Sequence, residues 1–307
     1  MIRAAGMSDA PLQRYWEPRR ASAAEVRRLI AELDPVEHAT EITHLSQEVL
    51  IPPLVAYVGY AAGFARTLGN PAVAHRIWRE GQGDQILRSA RRDLDTLAFF
   101  GLFMREGTTS ARARAVYDHV QRIHHQVKGI GNETQLHVLG MLIFDQERAD
   151  EQFGLGLFDE HDKQGRFHFW VGVGEAMRLR EIPESRAEFE AWCAAYERRT
   201  FEPTEAATES FKGQLRGLSA YVPAPLRAGV RQLLIEAVRP DVRDLLGFDA
   251  PRPGRGLAGR AIAQGIVTAD HARGLRLDRT WVGSFSRLGP DPDLSALGYQ
   301  HHEQQHR

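Results

Sequence analysis

Apolar residues recur at three- and four-residue intervals over most of this chain, and alternating strand-type patterns are almost absent. Ser22-Ala-Ala-Glu25 and Ser185-Arg-Ala-Glu188 each have the spacing of a capping box and each opens an amphipathic run. The first run sets Val26, Leu29, Ile30 and Leu33 on one face, and the second sets Phe189, Trp192, Cys193 and Tyr196. Asn70-Pro71 reads as a cap and first-turn proline for a short helix ending near Gly81. The same periodicity predicts helices over 84–106, 110–128, 134–144, 160–179, 204–217, 225–238 and 240–246, with a small one at 257–264. The longest apolar run, 49–65, carries Pro52 and Pro53 and is short for a membrane span, so it is expected to be a buried core helix. The expected fold is all-α: a single multi-helix domain over 21–250. Flanking it are a flexible segment at 1–20 and a C-terminal extension at 251–307, whose polar end from 291 is expected to be poorly ordered.

Composition narrows the function classes. A formal net charge of −1 supplies no field that would draw the chain to nucleic acid or anionic lipid. A single cysteine, Cys193, excludes an intramolecular disulfide and a thiolate-rich metal site within one chain. The N-terminal twenty residues lack the apolar core of a secretory signal, so a cytoplasmic location is expected. Gly63, Gly69, Gly81 and Gly83 have neither the spacing nor the preceding strand of a phosphate-binding loop.

The candidate chemistry lies on two consecutive helices. On the helix over 110–128, Val116, Val120, Ile123 and Val127 mark a buried face, and His124 falls on its edge beside Tyr117. His125 points the other way. An imidazole turned into an apolar core must hydrogen-bond or bind a ligand, since burying it unpaired costs about 1–3 kcal/mol. On the preceding helix Arg88, Arg92, Thr96, Phe99 and Phe103 form one stripe. Rings that pack on a macrocycle, guanidiniums that pair with carboxylates and a histidine for iron would suit heme. From periodicity alone, a plain core helix with polar first turns is the favoured reading.

The order Arg92-x-x-x-Thr96, His124-x-x-Val127-x-Gly129, Trp170-Val-Gly-Val-Gly174 and Glu181-Ile-Pro-Glu-Ser185 resembles the MpaB and latex-clearing-protein family of heme-dependent oxygenases, over roughly 49–200. The resemblance implies heme b as cofactor, His124 as the proximal iron ligand, and Arg92 and Thr96 near the distal face. It also implies a distal carboxylate upstream, for which Glu80 and Asp84 are the candidates. In the latex-clearing branch a lysine precedes the threonine; here that position is Asp95, which cannot take the same role. Arg88, Phe99 and Lys128 are further candidates for contacts to the cofactor. For Lys128 and Arg122 a solvated helix face is the plainer reading.

Other motifs compete less well. His302-Glu-Gln-Gln-His306 spells a zinc-protease pattern but sits in the polar tail. Glu41-x-x-His44 lacks the second copy that a di-iron bundle requires. His161 and His168 are candidates for pocket lining or for ordinary hydrogen-bonded burial. Gly172 and Gly174 imply close approach of a helix or of a macrocycle. The expected function is an oxygenase that activates dioxygen on an apolar alkene, lipid or terpenoid-like substrate. The alternative is a helical heme- or lipid-binding protein without turnover.

Overall fold

The computed structural model describes residues 15–126, 130–249 and 255–298. In chain order the helices are α1 (Ala23–Ala31), α2 (Ala39–Thr43), α3 (Pro53–Thr67), α4 (Pro71–Trp78), α5 (Asp84–Leu87), α6 (Ser89–Glu106), α7 (Ala111–Gln126) and α8 (Asn132–Phe153). They continue with α9 (Glu160–Ala176), α10 (Arg186–Thr200), α11 (Glu205–Tyr221), α12 (Arg227–Ala237), α13 (Pro240–Leu245), α14 (Arg255–Ala272) and α15 (Trp281–Phe285). The only sheet among the described residues is one antiparallel pair, β1 (Arg20–Ala21) with β2 (Leu275–Arg276). The fold is all-α, as the periodicity predicts.

Caps appear where the sequence places them. Ser22 accepts from the Glu25 amide, Ser185 from Glu188, and Asn70 from Ala72 and Val73. α3 forms the buried axis of the molecule, packed along α8 and against α11 and α12. No single helix among the described residues is long and apolar enough to cross a membrane; the bent pair Ala39–Val49 and Pro53–Thr67 meets that test by length and composition only, across a 107° bend.

Several boundaries differ from expectation, each for a physical reason. The helix predicted over 84–106 is two helices, because Arg88 leaves helical geometry (φ −142°, ψ 37°) between α5 and α6. The helix predicted over 134–144 runs to Phe153. Its extra turns carry Asp145, Glu147 and Asp150, which are buried by pairing: Asp145 with Arg66, Glu147 with Arg166 and Arg186, and Asp150 with the amides of Leu157 and Phe158. A pattern built on apolar residues stops where buried charge begins. The helix predicted over 257–264 is the longer α14.

The described residues nearest the two ends pack on the body of the molecule. Tyr15 is buried, Trp16 stacks on His44 at 4.1 Å, and β1 pairs with β2. Between α2 and α3 a π-helical stretch (His44–Val49) is buried throughout. There His44 Nδ1 meets Glu48 at 2.7 Å, and Nε2 donates to the carbonyls of Tyr15 (3.0 Å) and Leu277 (2.8 Å). Glu48 in turn accepts from the Trp281 amide. His44 of the Glu41-x-x-His44 element therefore ties the segment at Tyr15 to that at Leu277, and the described residues hold no group of three or more metal-ligating side chains. His302 and His306 lie outside the described residues.

Helix α15 lies on α6 so closely that a Cβ on Gly101 would fall 2.2 Å from the Val282 amide nitrogen. Downstream of it, Leu297 is buried and Gly298 reaches the inner face of α6 and α7. What the sequence presents as a loose extension is thus in part a structural strap.

Candidate functional site

Helices α6 and α7 form an antiparallel hairpin locked at its closed end. Tyr117 donates to the Gly107 carbonyl at 2.8 Å and packs its ring on Phe103 with centroids 4.8 Å apart. Val116, Tyr117 and Val120 are buried, and one turn later His124 faces inward while His125 is exposed. Val127, Lys128 and Gly129 lie outside the described residues.

Between this hairpin and α3, α4, α8 and α9 is a cavity of about 570 Å³, within the range of small-molecule and cofactor pockets. Its walls are apolar along most of their length: Phe99, Phe100 and Phe103 from α6, Val120 and Ile123 from α7, Val138, Leu139, Met141 and Leu142 from α8, and Val173 and Met177 at the end of α9. Among the sequence-predicted residues, Arg88, Arg92, Thr96, Phe99 and His124 all line it. Asp84 lines it too. Glu80 does not: it sits exposed in a 3-10 turn in left-handed geometry (φ 54°), so the chain does not bring that carboxylate to the cavity. His161 donates Nε2–H to the Leu33 carbonyl at 2.8 Å and is not a lining residue, nor is His168. Gly174 serves helix packing, since a Cβ there would meet Leu139 at 2.7 Å and Ile182 at 3.0 Å.

His124 Nδ1 lies 3.0 Å from Gln135 Oε1, from the first turn of α8. An amide oxygen only accepts, so Nδ1 carries the proton and Nε2 keeps its lone pair. Nε2 has no hydrogen-bond partner among the described residues, and the ring lines the cavity. Burial, opposed by the Gln135 hydrogen bond, lowers the pKa of His124 and favours the neutral ring. A neutral imidazole with one nitrogen oriented by an acceptor and the other open is the form in which histidine binds a metal.

A polar part of the wall comes from α6 and α3. Arg92 donates to the Tyr60 hydroxyl at 2.7 Å and lies over the Phe64 ring, 4.1 Å from its centroid. Thr96 returns its hydroxyl proton to the Arg92 carbonyl at 2.9 Å, the usual back-bond of a helical threonine. Burial raises the Tyr60 pKa, so the phenol stays protonated. Tyr60, on a helix read only as apolar core, and Gln135, outside any apparent motif, are the site residues that sequence reasoning missed.

Behind this wall Asp93 is fully buried, accepting from Tyr57 at 2.9 Å and facing Arg92 at 3.5 Å. Burial raises its carboxyl to about 6, against the pull of Arg92 and the hydrogen bonds from Tyr57 and Gln85. The folded state therefore holds a proton that an unfolded aspartate, at 3.8, releases. The stability this contributes is full below 3.8 and is lost as pH rises through about 6. Urea unfolding at pH 4.5 and pH 7 should show Asp93→Asn losing less stability on that rise than the parent chain, by about 1–3 kcal/mol. Parallel losses in the two proteins would show that Asp93 does not titrate there.

Asp95, where the latex-clearing branch has lysine, is buried and accepts from Arg287 (3.0 Å) and from the Gly298 amide (3.3 Å). Gly298 has φ 81°, and a Cβ there would fall 2.8 Å from Ile123 and 3.1 Å from Phe99, so both backbone and space call for glycine. The aspartate thus anchors the strap that walls one side of the cavity.

No protein of curated function matches the chain. A family model does match it, over residues 48–268: that of the ER-bound oxygenase mpaB/B'/rubber oxygenase catalytic domain. The match covers α3 to α13, most of α14 and every cavity-lining residue except Gly298. With an all-α fold built around this cavity, the chain belongs to the family of mpaB and rubber oxygenase catalytic domains.

Proposed function

We propose that this oxygenase-family domain binds heme b in the cavity through His124 and uses it to oxidise an apolar substrate, an alkene of lipid or terpenoid type, with dioxygen. The observation that carries the reading is the His124 ring: Nδ1 oriented by Gln135, the ring lining a largely apolar cavity of about 570 Å³. The donor set fits the group. A neutral imidazole can take the iron, Phe99 and its neighbours offer flat apolar surface, and Arg88, Arg91 and Arg92 can pair with propionates.

Bound heme would supply the activation of dioxygen and the redox chemistry on the substrate. The chain's own part is narrower. Gln135 fixes the tautomer and orientation of His124. The rings and aliphatic residues of α6, α8 and α9 exclude water and hold the substrate chain. Tyr60, kept protonated by burial and positioned by Arg92, presents a hydrogen-bond donor at the polar wall. Thr96, whose hydroxyl bonds the Arg92 carbonyl, lies beside Tyr60 and adds a second hydroxyl to that wall.

Expression with a heme precursor should give a protein with a Soret band whose reduced form consumes oxygen faster when an apolar alkene is added. A featureless visible spectrum would remove heme from the proposal. Oxygen uptake indifferent to every alkene would leave a heme-binding protein without this reaction.

A further inference from the structure

Among the described residues the guanidiniums that line the cavity are neighbours in the chain. Arg76, Arg79, Arg88, Arg91 and Arg92 come from a single stretch of chain spanning α4 to the start of α6, and apolar side chains dominate the cavity beyond them. Arg76, Arg79 and Arg88 are exposed, so this part of the lining faces solvent, whereas Gly298 packs on Phe99 and Ile123 on another side. Among the described residues only two carboxylates, Asp84 and Asp95, share the lining. Arg79 lies 3.8 Å from Asp84 and Arg91 3.6 Å from Asp95, Arg92 is held by Tyr60, and Arg76 makes no hydrogen bond or ion pair among the described residues. Two propionates, paired among Arg88, Arg91 and Arg92, would leave the Arg76 guanidinium over.

We propose that the ligand oxidised here is an anionic amphiphile: a long apolar chain ending in a carboxylate. Its head is bound by Arg76 and the adjacent arginines where the lining faces solvent, and its chain runs inward along Phe99 and Leu139. This rests on the oxygenase reading and adds a substrate class to it. A neutral hydrocarbon would make no ion pair with Arg76, whereas a carboxylate head pairs with it and fixes which part of the chain lies deep in the cavity.

Calorimetric titration of the heme-loaded protein with oleate and with oleyl alcohol tests the assignment, because the two differ only in the head group. Oleate should bind at least about tenfold more tightly, the effect of one charge-assisted hydrogen bond. In Arg76→Glu, an exposed position, that preference should fall about tenfold while oleyl alcohol binds as before. Equal affinity for the two ligands, or a variant that weakens both alike, would overturn the proposal. So would an oleate preference confined to protein without heme, since the guanidiniums would then be propionate partners only. A preference for oleate in protein that takes up no heme would keep the ligand class and remove the reaction, so the two readings fail separately.

Discussion

His124→Ala should lose the Soret band under conditions in which His125→Ala retains it fully. The two histidines are adjacent in sequence, but one lines the cavity and the other is exposed, so the helical face alone decides the difference. Gln135→Leu should be intermediate. It leaves the imidazole in place but removes the acceptor that selects its tautomer, a change that typically weakens metal affinity by about 10–100-fold. Heme titration of the three variants, read by absorbance, gives the ranking directly. Equal loss in His124→Ala and His125→Ala would show that the α7 face does not hold the iron. Full retention in His124→Ala would place the ligand elsewhere.

Arg66→Ala should be among the most destabilising single changes in the molecule, by about 3–5 kcal/mol in urea unfolding. Arg66 is buried between α3, α8 and α10, donating to Asp145 at 2.8 Å and to Glu197. Glu197 also meets His137 at 3.0 Å and Arg239. Burial alone would raise the Glu197 carboxyl, but the His137 hydrogen bond, Arg66 and Arg239 outweigh it and hold it well below the ordinary range. Removing Arg66 leaves two carboxylates in the core with reduced compensation, which costs more than the lost contacts themselves. Adding Asp145→Asn should recover part of the loss, since one of the uncompensated charges is then gone. A loss under 1 kcal/mol would mean that water reaches this cluster once the guanidinium is removed.

The fold was largely legible because most helices carry their own punctuation. Caps at Ser22, Asn70 and Ser185 and the apolar faces of α1, α7 and α10 are local signals, and each appears where the spacing places it. The second half of α8 was not legible, since Asp145, Glu147 and Asp150 look solvent-facing until Arg66, Arg166 and Arg186 arrive from other helices. The same limit applies to the candidate site. The stripe Arg88, Arg92, Thr96 and Phe99 and the inward face of His124 follow from helical geometry within one element, and all of them line the cavity. Tyr60 and Gln135 matter only through a partner on another helix, and nothing within α3 or α8 announces that partner. Glu80 is near the stripe in sequence only, and a turn with left-handed residues at Arg79 and Glu80 leaves it off the cavity lining. Asp95 stands in the sequence only as a departure from the lysine of the latex-clearing branch. Its role in gripping the C-terminal strap depends on residues some two hundred positions away.

That grip bears on how the protein is handled. The family region ends at 268, but the cavity wall does not: Gly298 covers Phe99 and Ile123, and Arg287 neutralises Asp95. A fragment excised at the family boundary would bare Phe99 and Ile123 and leave Asp95 with Arg91 as its one remaining cationic partner among the described residues. A recombinant version should therefore carry the sequence through Gly298, with any fusion partner kept away from that end.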